Sequence, residues 1–335
     1  MLTMKAIQVR SPGADFELVH REIPEPKDHE VLIKVEACGI CHGDALAKEG
    51  GFPGLSYPRV PGHEVVGTIE KIGPAVTTWK VGQRVGVGWH GGHCGYCAAC
   101  RKGQFGACAQ SLTTGLSMDG GYAEYMIGHA EAMVSIPDEL GSVDAAPLLC
   151  AGATTFGALK KSGAEGGDLV AIQGLGGLGH LAVQFAVKLG YGTVALSRGK
   201  AKEDLAYKLG AQTYIDTNED GAAKKLQAMG GAAVILCTAP NGKAMGDLVG
   251  GLAPTGQMIV VGFSREPMVI PPHLLIPARS ISGSVGGHIE ETIRFSIHAG
   301  IQPIIETFSL EQAAAAYESM MTATVRFRAV LKMTA

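Results

Sequence analysis

Residues 168–190 read DLVAIQGLGGLGHLAVQFAVKLG. The first six are mostly apolar, as suits a strand buried on both faces in a parallel sheet. Gly174, Gly176 and Gly179 then fall in G-x-G-x-x-G order. Beyond them Leu178, Leu181, Ala182, Phe185, Ala186 and Leu189 recur at helical spacing, with Gly190 placed to end the helix. Three glycines in that order mean little by themselves in a chain with 48. Between a strand and an amphipathic helix they read as a dinucleotide-binding turn. Gly174 would allow the tight turn, Gly176 the approach of a pyrophosphate and Gly179 close helix–strand packing. The backbone of Leu175, Gly177 and Leu178 would complete the N–H cradle at the helix start.

Outward from this turn, strand and helix alternate: strand 193–197, helix 200–208, strand 213–215, helix 219–229, strand 232–237, helix 242–251 and strand 257–262. These are βαβ intervals, and they predict a doubly wound parallel sheet over residues 152–286. Upstream the period shortens. VLIKV (31–35) places Val31, Ile33 and Val35 on one face, and 65–72 and 84–89 look similar between Gly- and Pro-bearing breaks. A compact, mostly β domain with long functional loops is expected there. The tail, 287–335, holds two helical stretches and a final strand in RFRAVLKM, and is expected to return to the first domain, so that 1–151 and 287–335 form one unit.

The composition narrows the function. Of 335 residues 46% are hydrophobic and 18% charged, a globular balance, and the formal net charge is −3. No basic excess points to nucleic acid or an anionic membrane surface. No apolar h-region opens the chain and no run of about eighteen apolar residues occurs. A cytoplasmic protein acting on small molecules is the expectation. Its eight cysteines, clustered and without a secretory signal, suggest metal before disulfide.

Four of them, Cys94, Cys97, Cys100 and Cys108, lie in CGYCAACRKGQFGAC as C-x2-C-x2-C-x7-C. Two-residue gaps let neighbouring thiolates turn onto one ion and the longer gap closes the fourth corner, which suits a closed structural zinc site. An iron–sulfur cluster shares the first two spacings, although no proline follows the fourth cysteine. Cys41, His63 and Cys150 are distant in sequence, in CGICHGD, VPGHEVVG and PLLCAGATT. Singly, each reads most simply as a small buried thiol or a packed histidine. Together, two thiolates and an imidazole would leave a fourth zinc position open for chemistry. Asp44 could set the His63 tautomer, and Glu64 could modulate the site or ligate transiently.

The second strand of the nucleotide unit runs into TVALSRGKAKE. An NAD site usually carries Asp or Glu at that strand end to hold the ribose hydroxyls. Here the position is Ser197, followed by Arg198, Lys200 and Lys202, which attract a 2′-phosphate. NADP(H) is therefore preferred to NAD(H); the plainer reading is a solvated basic turn.

These motifs together, with DGGYAEY (119–125), resemble the zinc-dependent medium-chain alcohol dehydrogenases, most closely the bacterial and cinnamyl-alcohol-dehydrogenase-like branch. The likeness covers essentially the whole chain. It implies a GroES-like catalytic domain plus a Rossmann doubly wound sheet, two zinc ions per chain, and a homodimer or homotetramer that interconverts alcohols and aldehydes. It also implies catalytic zinc on Cys41, His63 and Cys150, a donor set with direct precedent in that family. Structural zinc would lie on the four clustered cysteines, Thr154 and Val261 beside the cofactor, and Trp89 in the substrate pocket. One position departs: Gly43 stands where the family carries Ser or Thr as a proton relay. His42, which the family often uses on a cofactor phosphate, or a water would then carry the proton, and room left at Gly43 could widen the pocket. Two competing functions are a zinc-free quinone or enoyl reductase and a non-enzymatic dinucleotide-binding protein. The seven candidate ligands argue against both.

Overall fold

The computed structural model describes residues 2–333. Its contacts divide the chain into two units. One gathers the chain through Cys150, Ile289–Ile293 and the stretch from Pro303 onward; the other holds Ala151–His288 and Arg294–Gln302.

The first unit is built on the strand Glu30–Gly39. Val31, Ile33 and Val35 are buried and Lys34 exposed, as the alternation demands, and Leu32 is buried too. Around this strand the sheet runs in the order Ile305–Phe308, Arg328–Lys332, Glu30–Gly39, Val65–Ile72, Arg84–Val87, Met133–Ser135, with Tyr125–His129 also paired to the central strand. The tail strand enters antiparallel, with Val330 opposite Gly39. That register brings Arg328, near the chain's end, into the same sheet as the loop that follows Gly39. Gly39 itself has no room for a side chain, because a Cβ there would fall on the Glu64 carboxylate.

The second unit carries a six-stranded parallel sheet ordered Thr213–Asp216, Gly192–Ser197, Leu169–Gln173, Ala232–Cys237, Leu252–Val260, Ser280–Gly283. This is the 3-2-1-4-5-6 order of a Rossmann sheet, whose ligand crevice opens where the winding reverses, at the carboxyl end of Leu169–Gln173. The helix Gly179–Lys188 packs on that strand and buries Leu181, Val183, Phe185 and Ala186.

Two elements differ from the sequence expectation. The helix Ile289–Ala299 is divided between the units: Phe295 packs on Phe156 and Phe185 at 4.8 and 6.1 Å, so its second half belongs with the nucleotide unit rather than with the tail. The edge strand Ser280–Gly283 is unmarked in sequence, since SISG lacks both an apolar run and a clear alternation. Among the described residues no single helix is long and apolar enough to cross a membrane.

Candidate active site

The strand Glu30–Gly39 ends in CGICHGD, and the chain tightens into a 3-10 turn over His42–Asp44. That turn swings Asp44 inward until it is 1% exposed. Its two oxygens then serve four partners. Oδ2 accepts from the Cys41 N–H at 2.9 Å and from the Tyr122 hydroxyl at 2.9 Å. Oδ1 accepts from the Gly62 N–H at 3.2 Å and faces His63 Nδ1 at 2.9 Å. A carboxylate so surrounded can only accept, so the proton of His63 belongs on Nδ1. Nε2 is left with a lone pair, buried and without a hydrogen-bond partner. Such an atom costs free energy unless something else meets it.

The Cys150 thiol supplies part of that environment. It ends the 3-10 segment Ala146–Leu149, and its Sγ lies 3.9 Å from Cys41 Sγ. Donor atoms of Cys41, His63, Glu64 and Cys150 all fall within 4.8 Å of one another. A tetrahedron with metal–sulfur bonds of about 2.3 Å has edges of about 3.8 Å, so the thiol spacing fits one ion. A disulfide would need about 2 Å. Hydrogen bonding from Cys150 holds the Cys41 thiol well below its ordinary pKa, which favours a thiolate donor. Behind the cluster Arg328 clasps Glu64, its Nη2 2.5 and 2.7 Å from the two carboxylate oxygens, and also donates to the Ile40 carbonyl at 3.0 Å. Burial still pushes the Glu64 carboxyl up, to about 7, against the pull of Arg328.

Trp89 meets His63 edge-on, ring centroids 4.9 Å apart and planes at 85°. This corrects one expectation. The space beside Gly43 is not free to widen a pocket: a Cβ there would lie 2.7 Å from Trp89 Cζ3 and 2.7 Å from His63 Cε1. His42 is exposed on the turn.

A second cluster lies in the same unit. Cys94, Cys97, Cys100 and Cys108 also hold their sulfurs within 4.8 Å of one another, with Cys97–Cys100 at 3.5 Å and Cys94–Cys108 at 3.6 Å. The backbone of Cys100 and Ala109 holds the Cys97 thiol down at about 6. Four convergent thiols fill a tetrahedron and leave no position for a substrate.

In the second unit the glycine turn has the room its sequence asks for. Gly174 adopts a φ of 96°, which L side chains rarely take. A Cβ on Gly179 would fall on the Gly174 carbonyl oxygen, whereas one on Gly176 would meet nothing within 4 Å. Gly176 therefore faces open space, as a cradle for a pyrophosphate requires. Leu175 is buried, Gly177 and Leu178 are partly so, and the Lys202 ammonium donates to the Leu175 carbonyl at 2.8 Å. Ser197 ends its strand, and the turn beyond is held from below. The Gly199 and Asn218 N–H groups donate to Asp216 Oδ1 at 2.7 and 2.9 Å, and the Tyr214 hydroxyl donates to the Gly199 carbonyl. Arg198 and Lys200 stay exposed on that turn. Thr154 sits half-buried in the helix Ala151–Lys161, and Val261 directly follows the strand Leu252–Val260.

Two participants escaped the reading of the sequence. Tyr122 lay in DGGYAEY without an assigned partner. Arg328 carried the stronger signal, a charged residue that opens the final strand directly before the apolar run Ala329–Leu331.

Comparison with known proteins agrees with this architecture. Residues 27–138 match the model of the alcohol dehydrogenase GroES-like domain, and residues 177–298 that of the zinc-binding dehydrogenase domain. The chain is 44% identical over 334 residues to alcohol dehydrogenase notN of Aspergillus sp., covering 99% of this chain and 98% of that one. Among solved structures, a cinnamyl alcohol dehydrogenase from Sorghum bicolor is 30% identical with a TM-score of 0.88, covering 99% and 98% of the two chains. CAD from Helicobacter pylori, complexed with NADP(H), is 27% identical with a TM-score of 0.86, covering 99% and 98%. With both units matched and a relative this similar along nearly its whole length, the chain belongs to the zinc-type medium-chain alcohol dehydrogenase family.

Proposed function

We propose that this alcohol dehydrogenase is zinc-dependent and prefers NADP(H), interconverting alcohols with aldehydes or ketones. The observation that carries the reading is the buried His63 Nε2, without a hydrogen-bond partner, in the group formed with Cys41, Cys150 and Glu64. Cys41, His63 and Cys150 would hold the catalytic ion, and Cys94, Cys97, Cys100 and Cys108 a structural one. Zinc bound there supplies Lewis acidity toward the substrate oxygen, and the nicotinamide supplies the hydride chemistry.

The chain's own residues do the rest. Asp44 fixes the tautomer of His63 and, through the Cys41 and Gly62 amides, locks the two ligand-bearing loops together. Tyr122 satisfies the remaining acceptor of that carboxylate. Arg328 keeps the buried charge of Glu64 paired behind the thiols. His42, on an exposed turn next to Cys41, would pass the substrate's proton to water in place of a hydroxyl on residue 43. Trp89 would wall the substrate. Gly174, Gly176 and Gly179, with the backbone of Leu175, Gly177 and Leu178, would cradle the pyrophosphate, with Thr154 and Val261 beside the nicotinamide end.

The preference for NADP(H) rests on the turn after Ser197. A neighbouring carboxylate, Asp216, is engaged with backbone amides, while Arg198 and Lys200 are exposed and Lys202 lies against the glycine turn. The edge strand Ser280–Gly283, flanked by Ile276 and Val285 at 81% and 86% exposure, supports self-association into a homodimer or homotetramer.

Metal analysis with steady-state kinetics over an aldehyde panel, using NADPH and NADH in parallel, tests the whole reading. Two zinc ions per chain and a higher kcat/KM with NADPH are expected. One ion or none, or faster turnover with NADH, would remove the corresponding part. For the relay, His42→Ala is expected to lower kcat by about tenfold without loss of zinc; an unchanged kcat would take His42 out of it.

A further inference from the structure

His63 follows a stretch that belongs to no regular element. Val60, Pro61 and Gly62 lie outside helix and strand, between the isolated bridge at Arg59 and the strand Val65–Ile72. Their backbone polar groups are nevertheless paired, most of them with Asp119–Tyr122. The Gly120, Tyr122 and Gly121 N–H groups donate to the Val60, Pro61 and Gly62 carbonyls at 2.8, 3.0 and 3.0 Å. The two segments are pressed together, since a Cβ on Gly120 would fall on the Gly62 carbonyl oxygen. Proline has no N–H to give, and the Gly62 N–H goes to Asp44 Oδ1 at 3.2 Å. There remains the N–H of Val60, a residue only 1% exposed, and it donates to a side chain, Asp119 Oδ1, at 3.1 Å. A buried N–H needs a partner, and here a single carboxylate supplies it.

Asp119 is itself fixed from two sides. Arg59 Nη1 donates to Oδ1 at 2.8 Å and Arg21 Nη1 to Oδ2 at 2.9 Å, while Arg59 Nη2 donates to Ser56 Oγ at 2.8 Å. Arg21 stands on the hairpin formed by Thr3–Val9 and Phe16–Glu22, and the same hairpin exchanges two backbone hydrogen bonds with Arg59 through Val9. Two charge-assisted bonds hold in one place a carboxylate that is otherwise 42% exposed.

We propose that Asp119, gripped by Arg21 and Arg59, is a positioning residue for the Cys41–His63–Cys150 centre. The proposal rests on the reading of those three residues as the site of the catalytic ion. Two routes lead from Asp119 to the imidazole. One is the chain, since Val60 stands three residues before His63. The other is Asp44 Oδ1, which accepts from the Gly62 N–H and faces His63 Nδ1, so that a shift of residues 60–62 moves both the ring and the carboxylate that orients it. The partner segment also carries Tyr122, whose hydroxyl holds the other oxygen of Asp44. The N-terminal hairpin, through Arg21, thereby helps to set where Nε2 meets an ion.

Zinc competition with a chelator, read separately at the two metal sites of the full chain, tests this. Asp119→Ala is expected to weaken binding at Cys41–His63–Cys150 by about tenfold and to leave the four-cysteine site within about twofold. Asp119→Asn keeps an acceptor for the Val60 N–H and should recover most of the loss. The visible absorption of cobalt loaded at the Cys41 site should change in Asp119→Ala and return in Asp119→Asn. Equal weakening at both metal sites, or none at either, would overturn the proposal. Should Asp119→Ala fail to fold, Arg21→Gln carries the test, with a loss of about two- to threefold confined to the same site; an unchanged affinity there would count against it equally. A wild-type protein that binds zinc at the four cysteines alone would instead refute the proposed function. The nitrogen chemical shifts of the His63 ring would then decide the positioning role: Asp119→Ala should move them in metal-free protein, and unmoved shifts would overturn it.

Discussion

Replacing Arg328 with Met puts the buried charge behind the site to the test. The guanidinium is 4% exposed and Glu64 is fully buried, joined at 2.5 and 2.7 Å, with a further bond from Arg328 to the Ile40 carbonyl at 3.0 Å. Met has a similar length and would fill the space, so the loss is mainly electrostatic. It leaves the buried Glu64 carboxyl with no counter-charge, so that it stays ionised in the interior or takes up a proton, and one carbonyl without a donor. Removing one partner of a buried pair costs about 3–5 kcal/mol. For a unit of this size that is a Tm loss of roughly 6–20 °C. Removing Glu64 as well, in Arg328→Met/Glu64→Leu, takes away the stranded charge and should return more than half of the loss, since a hydrophobic substitute for a buried pair is often neutral. The assay is thermal and urea unfolding of the metal-loaded protein, following a probe in the first unit such as Trp79 or Trp89. A single substitution costing less than about 1 kcal/mol, or a double variant as unstable as the single one, would refute the argument that pairing makes Glu64 tolerable.

Three other outcomes follow from named contacts. Asp44→Asn keeps the shape but places an amide donor among four donors, so zinc affinity at the Cys41–His63–Cys150 site should fall by about 10–100-fold in chelator competition; an unchanged affinity would show that Asp44 does not orient His63. Gly179→Ala and Gly176→Ala separate packing from cofactor approach. The first must displace the Gly174 carbonyl and should destabilise the nucleotide unit by about 1–3 kcal/mol, whereas the second should leave Tm unchanged and weaken NADPH binding in a fluorescence titration. Equal Tm losses in both would defeat that distinction. At the surface, Lys5 bonds Glu311 at 2.8 Å and, with local backbone and Ser309 hydrogen bonds, holds its carboxyl down at about 2. A carboxyl depressed on folding stabilises the protein above its unfolded pKa and ceases to do so as pH falls through about 4.5 toward 2. Both side chains are more than 40% exposed, so Glu311→Gln should lower Tm at pH 7 by no more than about 1–2 °C, and by less at pH 3. A larger loss at pH 3 than at pH 7 would contradict the sign.

Periodicity and punctuation in the chain determine much of this protein's architecture. The stretch 168–190 defines strand, turn and helix by itself, because a switch from an apolar run to 3.6-residue spacing across a glycine turn is a local property of the chain. The cysteine cluster at 94–108 is legible for the same reason: its four donors are within fifteen residues, and their spacing alone brings them together. The site around His63 is of another kind. Cys41, His63 and Cys150 could be named from their motifs, but their convergence depends on a 3-10 turn, a glycine with φ of 103° and the end of a helical segment far along the chain. Arg328 comes from still further away, and strand pairing sets its position: Val330 lies opposite Gly39, and that register carries Arg328 to Glu64. Gly43 shows the limit most sharply. In sequence it is a missing side chain and reads as empty space; in three dimensions Trp89, 46 positions away, stands against it. Local sequence specifies backbone shape and donor chemistry, whereas what fills a volume is decided by whichever distant side chain the fold delivers to it.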